Sequence, residues 1–237
     1  MTRCAWAMAW ILLLPLTQAA AQDTTVTARV QMAGEPVAAS TKAQNVVVWL
    51  TPLNPHTPLK PFPTSKWRLT QHNKSFEPHL LVVPVGAVVQ FPNRDPFFHN
   101  VFSLFEGKRF DLGLYEAGTT RDVVFDRPGV SYIFCNIHAE MSAVVIALDS
   151  PYFGISNRNG EVVIPQVPPG RYQMRVWYEA ALPATLDALT REVNITADSS
   201  TLGVLQIPNV VAVSAHKNKY GMDYEPPAPN SPGYDHP

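Results

Sequence analysis

The chain has 237 residues, with 18 Lys and Arg against 19 Asp and Glu, a formal net charge of -1, and only 16% charged residues. That balance excludes the clustered basic surface with which nucleic-acid binders neutralise phosphates. Its 23 prolines, about twice the usual share, and the lack of long helical periodicity point to strands and loops.

Residues 1–21, MTRCAWAMAWILLLPLTQAAA, set one arginine ahead of an apolar run and end in small residues suited to cleavage after Ala21, the pattern of a secretory signal peptide. The run is too short to cross a bilayer, and no later stretch reaches the roughly 20 apolar residues a spanning helix needs. The expectation is an exported, periplasmic chain without a membrane span. Residues 22–237 leave room for one large β domain or two small ones. Two are expected.

From Asp23, TTVTARV, a Gly34-Glu35-Pro36 turn and NVVVWL spell strand, turn, strand. Thr51–Lys66 carries five prolines and predicts an extended, irregular connector. Short strand candidates follow at close spacing: HLLVVPV, AVVQF, TTRDVVF, VSYIF and SAVVIAL, parted by Gly86, by Pro92 and Asn93, and by Pro128 and Gly129. Such spacing suits an all-β sandwich or barrel. SAVVIAL is apolar on both faces, as a central strand covered on both sides would be. After Asp149, Asn159-Gly160 joins two further strands, and Pro168-Pro169-Gly170 makes another turn. Residues 208–237 are rich in proline and predict a mobile tail, on which His216, Met222 and His236 read as ordinary solvent-exposed side chains.

Cleavage after Ala21 would remove Cys4 and leave Cys135 alone in an oxidising compartment, where no intramolecular disulfide is then possible. A lone thiol there asks for a reason: burial, intermolecular pairing, catalysis or a metal. Cys135, His138 and Met141 stand in FCNIHAEMSAVVIAL with the spacing C-x-x-H-x-x-M, between two strand candidates. One short loop held at both ends can aim a thiolate, an imidazole and a thioether at one point at little ordering cost. The fourth donor is His99, just past a strand and 36 residues before Cys135. His56 sits in the proline connector, His72 among polar residues, and His79 lacks the apolar loop setting of His99.

Two imidazoles, one thiolate and a weak thioether suit copper in electron transfer. Zinc prefers four firm Cys or His ligands, and the haem attachment motif C-x-x-C-H is absent. A cysteine nucleophile would need an oxyanion-stabilising element and a group orienting its base. Neither is evident, so no enzyme is expected.

These residues carry a resemblance. From about Phe76 to Leu148 the chain resembles a cupredoxin: FEPHLLVVPVGAVVQFPN as the strand pair before the first ligand, His99-Asn100, and the loop CNIHAEM, whose short spacing is similar to that of amicyanin. The flanking segments resemble the carboxypeptidase regulatory-like, transthyretin-like sandwiches, and the whole is similar to exported proteins labelled methylamine-utilisation or plastocyanin-like. The fold class implied is all-β, a cupredoxin Greek-key β-sandwich over 67–149 plus a second small β-sandwich made of 23–55 and 150–207, so that one sandwich is split by the other; the alternative is a single elongated sandwich that includes the N-terminal strands. The resemblance also implies one type 1 copper ion on His99, Cys135, His138 and Met141, and a backbone N–H of Asn100 donating to the Cys135 sulfur. It departs from the family at Ser131, where many members carry tyrosine, and at Asn136 and Ile137 within the ligand loop.

The function expected is one-electron transfer to and from a transient redox partner of the cytochrome or dehydrogenase class, docked on an apolar patch around His138 that includes Ile137 and Ala139. The alternative is a non-redox role in copper binding and delivery or in envelope interactions. A delivery site would be exposed and rich in methionine or histidine, whereas this donor set is compact.

Overall fold

The structure, a computed structural model, describes residues 22–33, 43–62, 65–104, 107–208 and 216–224. The leader at 1–21, the Gly34–Pro36 turn and His236 lie outside the described residues. In chain order the strands are β1 (Thr24–Met32), β2 (Val47–Pro52), β3 (Thr70–His72), β4 (Ser75–Glu77), β5 (Leu80–Pro84), β6 (Ala87–Pro92), β7 (His99–Ser103), β8 (Phe110–Tyr115) and β9 (Thr120–Phe125). They continue as β10 (Gly129–Cys135), β11 (Ser142–Leu148), β12 (Phe153–Ile155), β13 (Glu161–Val167), β14 (Gly170–Trp177), β15 (Arg191–Ile195) and β16 (Thr201–Ile207), with a short helix α1 (Pro183–Leu189) before β15.

Alternating side chains build the first sandwich. Val26, Ala28, Val30 and Met32 of β1 point one way and are buried, and β1 lies between β13 and β16 in a three-stranded sheet. A second sheet, β12-β2-β14-β15, turns Val48, Leu50, Tyr172, Met174 and Val176 onto the same core. Strands from both ends of the described chain thus share one core, because β1 and β2 find their neighbours beyond residue 150.

The second sandwich packs the sheet β5-β11-β10-β7-β8 against the pairs β6-β9 and β3-β4. Strands distant in sequence are neighbours here and β5 runs parallel to β11, the crossover connection of a Greek key. Its core holds Val89 and Phe91 of β6, Val123 and Phe125 of β9, Ile133 and Cys135 of β10, and Ala143, Val145 and Ala147 of β11. The chain is all-β, a Greek-key sandwich with a second small sandwich, as the sequence predicts.

The period of two explains why SAVVIAL is apolar throughout. Ala143, Val145 and Ala147 face the Greek-key core, while Val144, Ile146 and Leu148 face Val47 and Trp177 of the other sandwich. Burying both faces of β11 cements the two units through a shared apolar layer. The proline connector joins this layer where Phe62 stacks on Phe153 at 6.0 Å. Within the stretch predicted from composition to be a mobile tail, residues 216–224 are instead seated on the end of β10, where Phe134 stacks on His216 and the Cys135 carbonyl accepts from Tyr224.

Candidate metal centre

Two candidate ligands sit at strand ends, and the other two lie on the loop between β10 and β11. His99 opens β7 and Cys135 closes β10; both are fully buried. Phe134 and Cys135 pair with Phe102 and Val101 of β7, which fixes the two chain segments side by side. The loop after Cys135 folds back on itself: Met141 N–H donates to the His138 carbonyl at 3.1 Å, and Cys135 N–H donates to the Met141 carbonyl at 3.2 Å. Asn136 N–H donates to the Asn100 carbonyl at 2.9 Å and ties the loop to the strand carrying His99. Few residues are ordered for many bonds, so the loop is held cheaply.

Nδ1 of His99 lies 3.5 Å from Cys135 Sγ, and Nδ1 of His138 lies 3.7 Å from it. The two imidazole rings stand 4.9 Å apart at 61°. With metal–nitrogen bonds of about 2.0–2.1 Å and a metal–thiolate bond of about 2.3 Å, donors around one ion stand roughly 3.5–3.8 Å apart, so the spacing fits a single metal ion. Among the described residues this is the one His/Cys/Asp/Glu group with donor atoms gathered closely enough to share an ion. Met141 is fully buried in the same apolar core as Cys135. Phe97 covers both imidazoles, with ring centres 5.3 Å from His99 and 5.4 Å from His138.

A side chain that the sequence reading did not single out orients His99. Nε2–H of His99 donates to Asp95 Oδ2 at 2.8 Å. A carboxylate only accepts, so the proton sits on Nε2 and the lone pair on Nδ1 faces the cysteine. Asp95 is turned inward by its own N–H donating to Asn93 Oδ1 at 3.0 Å, while Asn93 Nδ2 holds the Phe97 carbonyl at 2.8 Å. The signal was present as Asn93 and Asp95 ahead of His99, but an Asx turn is needed before Asp95 faces the ring.

The electrostatics keep the two imidazoles in the form a metal takes up. Burial holds His99 below its ordinary value, against the pull of Asp95. Burial and the nearby His99 push His138 down to about 4. Both rings are therefore neutral at pH 7, as ligation requires. Burial pushes the Cys135 thiol up, although backbone N–H groups of Ile137, Asn100 and His138 favour its thiolate. Burial also works to raise Asp95, but the bond from His99 and the N–H groups of Lys74 and Asn73 outweigh it and hold the carboxylate below its ordinary range.

The other histidines lie elsewhere: His79 pairs with Glu179, His72 stands 3.9 Å from Glu77, and His56 is exposed in the connector. His216 stacks on Phe134 with its ring partly covered.

No family model matches the chain, and no curated protein matches it. Among solved structures it is similar to a purple cupredoxin from Nitrosopumilus maritimus, at 23% identity over 35% of this chain and 99% of that one, with a TM-score of 0.32. An amicyanin variant in its oxidised state matches at 20% identity over 35% of this chain and 81% of that one, with a TM-score of 0.33. A copper-containing nitrite reductase from Thermus scotoductus matches at 21% identity over 50% of this chain but 28% of its own length, with a TM-score of 0.33.

Proposed function

We propose that the chain is an exported electron carrier that holds one type 1 copper ion with His99, Cys135 and His138 as firm ligands and Met141 as a weak fourth. The observation that carries this reading is the pair of imidazole Nδ1 atoms 3.5 and 3.7 Å from one buried cysteine sulfur. The donor chemistry selects the metal: a thiolate, two imidazoles and a thioether suit copper, whereas zinc rarely takes a thioether. Bound there, copper supplies a one-electron couple.

The protein's own contribution is a ligand frame braced by hydrogen bonds. His99 is locked by Asp95, Cys135 by the β10–β7 pairing, and the loop by its internal hydrogen bonds. Outer hydrogen bonds of this kind orient the ligands and hold them in position. His138 is half-buried, and the adjoining Ile137, 44% exposed, gives the rim beside it an apolar character. That rim suits a transient redox partner of the cytochrome or dehydrogenase class, bound through a small contact. Residues 67–149 act as the copper-binding unit, with 23–55 and 150–207 as its regulatory-like support.

A nucleophilic role for Cys135 fits poorly, because a reactive thiol needs access and a lowered pKa and this one is fully buried and raised. Copper delivery fits less well for the same reason, since handing over an ion calls for exposed donors. Export to the periplasm rests on the leader at 1–21; among the described residues no helix is long and apolar enough to cross a membrane.

The test is a visible spectrum. Protein lacking residues 1–21, mixed with Cu(II), should turn intensely blue or green, bleach with ascorbate and recolour with ferricyanide. Cys135→Ser should abolish the colour. A colourless mixture overturns the copper reading, and colour that no reductant bleaches overturns electron transfer in favour of delivery or a structural ion.

A further inference from the structure

Beyond Ile207 the chain returns to the metal centre. Tyr224 O–H donates to the Cys135 carbonyl at 2.5 Å. Nδ1 of His216 lies 3.2 Å from the same hydroxyl, and its ring stacks on Phe134 with centres 4.1 Å apart at 24°. Lys219 N–H donates to Asn136 Oδ1 at 2.9 Å. Phe134, Cys135 and Asn136, three consecutive residues centred on the proposed thiolate ligand, are therefore each held by this one segment.

The same segment grips the other ligand strand. Lys219 Nζ donates to Asp111 Oδ2 at 2.8 Å, and Asp111 Oδ1 accepts from Asn100 Nδ2 at 2.6 Å. Asn100 follows His99, and its carbonyl receives Asn136 N–H. The segment is compact in itself: Asn218 Oδ1 accepts from the N–H groups of Tyr220 and Met222, and Gly221 turns the chain at a φ of 77°. A preformed turn of this kind loses less entropy on docking than a loose tail would.

We propose that residues 216–224 form a strap that clamps the ligand loop, with Tyr224 as a positioning residue for Cys135. The Cys135 carbonyl lies at the very end of β10, where ladder pairing gives out. The hydroxyl of Tyr224 supplies the donor that fixes that peptide plane, and with it the direction of the Cα–Cβ bond and of the sulfur. The aromatic rings of His216 and Tyr224 exclude water from that flank. The clamp is a property of the metal-free chain; its effect on a reduction potential rests on the copper reading above.

The experiment uses the full chain and two variants, Tyr224→Phe and Tyr224→Ala. In the metal-free protein, amide hydrogen exchange at 136–141 should speed up about two- to tenfold in Tyr224→Phe, the span commanded by one net hydrogen bond. Exchange in β14, remote from the strap, should stay as it was. After copper loading, Tyr224→Phe should show a lower midpoint potential and a shifted thiolate absorption, because hydrogen bonding and dryness around the sulfur tune both. Exchange at 136–141 equal to the unsubstituted chain overturns the clamp. Equal acceleration in β14 overturns it too, as does an effect seen in Tyr224→Ala but absent in Tyr224→Phe, since the ring and not the donor would then be acting. A potential and spectrum unmoved by Tyr224→Phe overturn the positioning role. If the unsubstituted chain takes up no copper while 136–141 still loosens in Tyr224→Phe, the copper reading falls and the clamp stands.

Discussion

Asp95 Oδ2 accepts the Nε2 proton of His99 at 2.8 Å, and the same carboxylate accepts the backbone N–H groups of Asn73 at 2.6 Å and Lys74 at 3.0 Å. Asn73 and Lys74 form the two-residue turn between β3 and β4, with φ of 52° and 51°. One buried carboxylate thus joins a hairpin turn to a proposed metal ligand. Asp95→Ala should strand two N–H donors and free the ring, and each orphaned group costs about 1–3 kcal/mol. Chemical denaturation should show that loss. Competition titration with a copper chelator should show an affinity about 10- to 100-fold weaker, the usual effect of losing an orienting partner. Asp95→Asn should do less harm, since an amide oxygen still accepts from the turn.

β11 carries a second expectation. Ile146 is almost fully buried in the layer shared by the two sandwiches, beside Val47 and Trp177. Ile146→Ala should lower stability by about 2–5 kcal/mol, the usual cost of a buried large-to-small change. The unfolding transition, followed by tryptophan fluorescence and by far-ultraviolet circular dichroism, should stay single, because both sandwiches lose the same layer. If only one unit's signal moves, the layer does not couple them.

The contrast between β11 and Asp95 shows what a sequence carries. A strand apolar on both faces announces two coverings in consecutive letters, and a C-x-x-H-x-x-M loop announces three neighbouring side chains in the same way. His99 was legible because it follows a strand beside aromatic residues. Asp95 was not, since its inward aim depends on an Asx turn and on a hairpin over twenty residues earlier in the chain. The strap was least legible: Lys219 meets Asn136 across 83 residues and Asp111 across 108. Composition assigned mobility there, and specific polar contacts overrode it.

Met141 gives a third expectation, which separates its packing from its chemistry. The side chain is fully buried in the Greek-key core. Met141→Leu conserves volume and should change stability by less than about 1.5 kcal/mol. Losing a thioether donor should nevertheless raise the midpoint potential, because the axial ligand stabilises the more highly charged state of the ion. Voltammetry checks this, and an unchanged potential would remove Met141 from the ligand set without touching the other three.

His79 bridges the two sandwiches and gives stability a pH dependence. Its Nε2 lies 2.7 Å from Glu179 Oε2 and its Nδ1 lies 3.1 Å from the Ser142 carbonyl, so both nitrogens donate and the protonated ring is favoured. The hydrogen bond to Glu179 raises the pKa of His79 above its ordinary 6.5, against the opposing effect of burial. A raised folded value means that the contribution is present in full below the unfolded pKa and is lost as pH climbs through the folded one. The side chains of His79 and Glu179 are 43% and 21% exposed, so screening keeps the bridge below about 1 kcal/mol. His79→Gln should therefore destabilise the chain more at about pH 5.5 than at about pH 9, as measured by urea midpoints at both values. A difference of opposite sign would show that burial of the ring outweighs its pairing with Glu179.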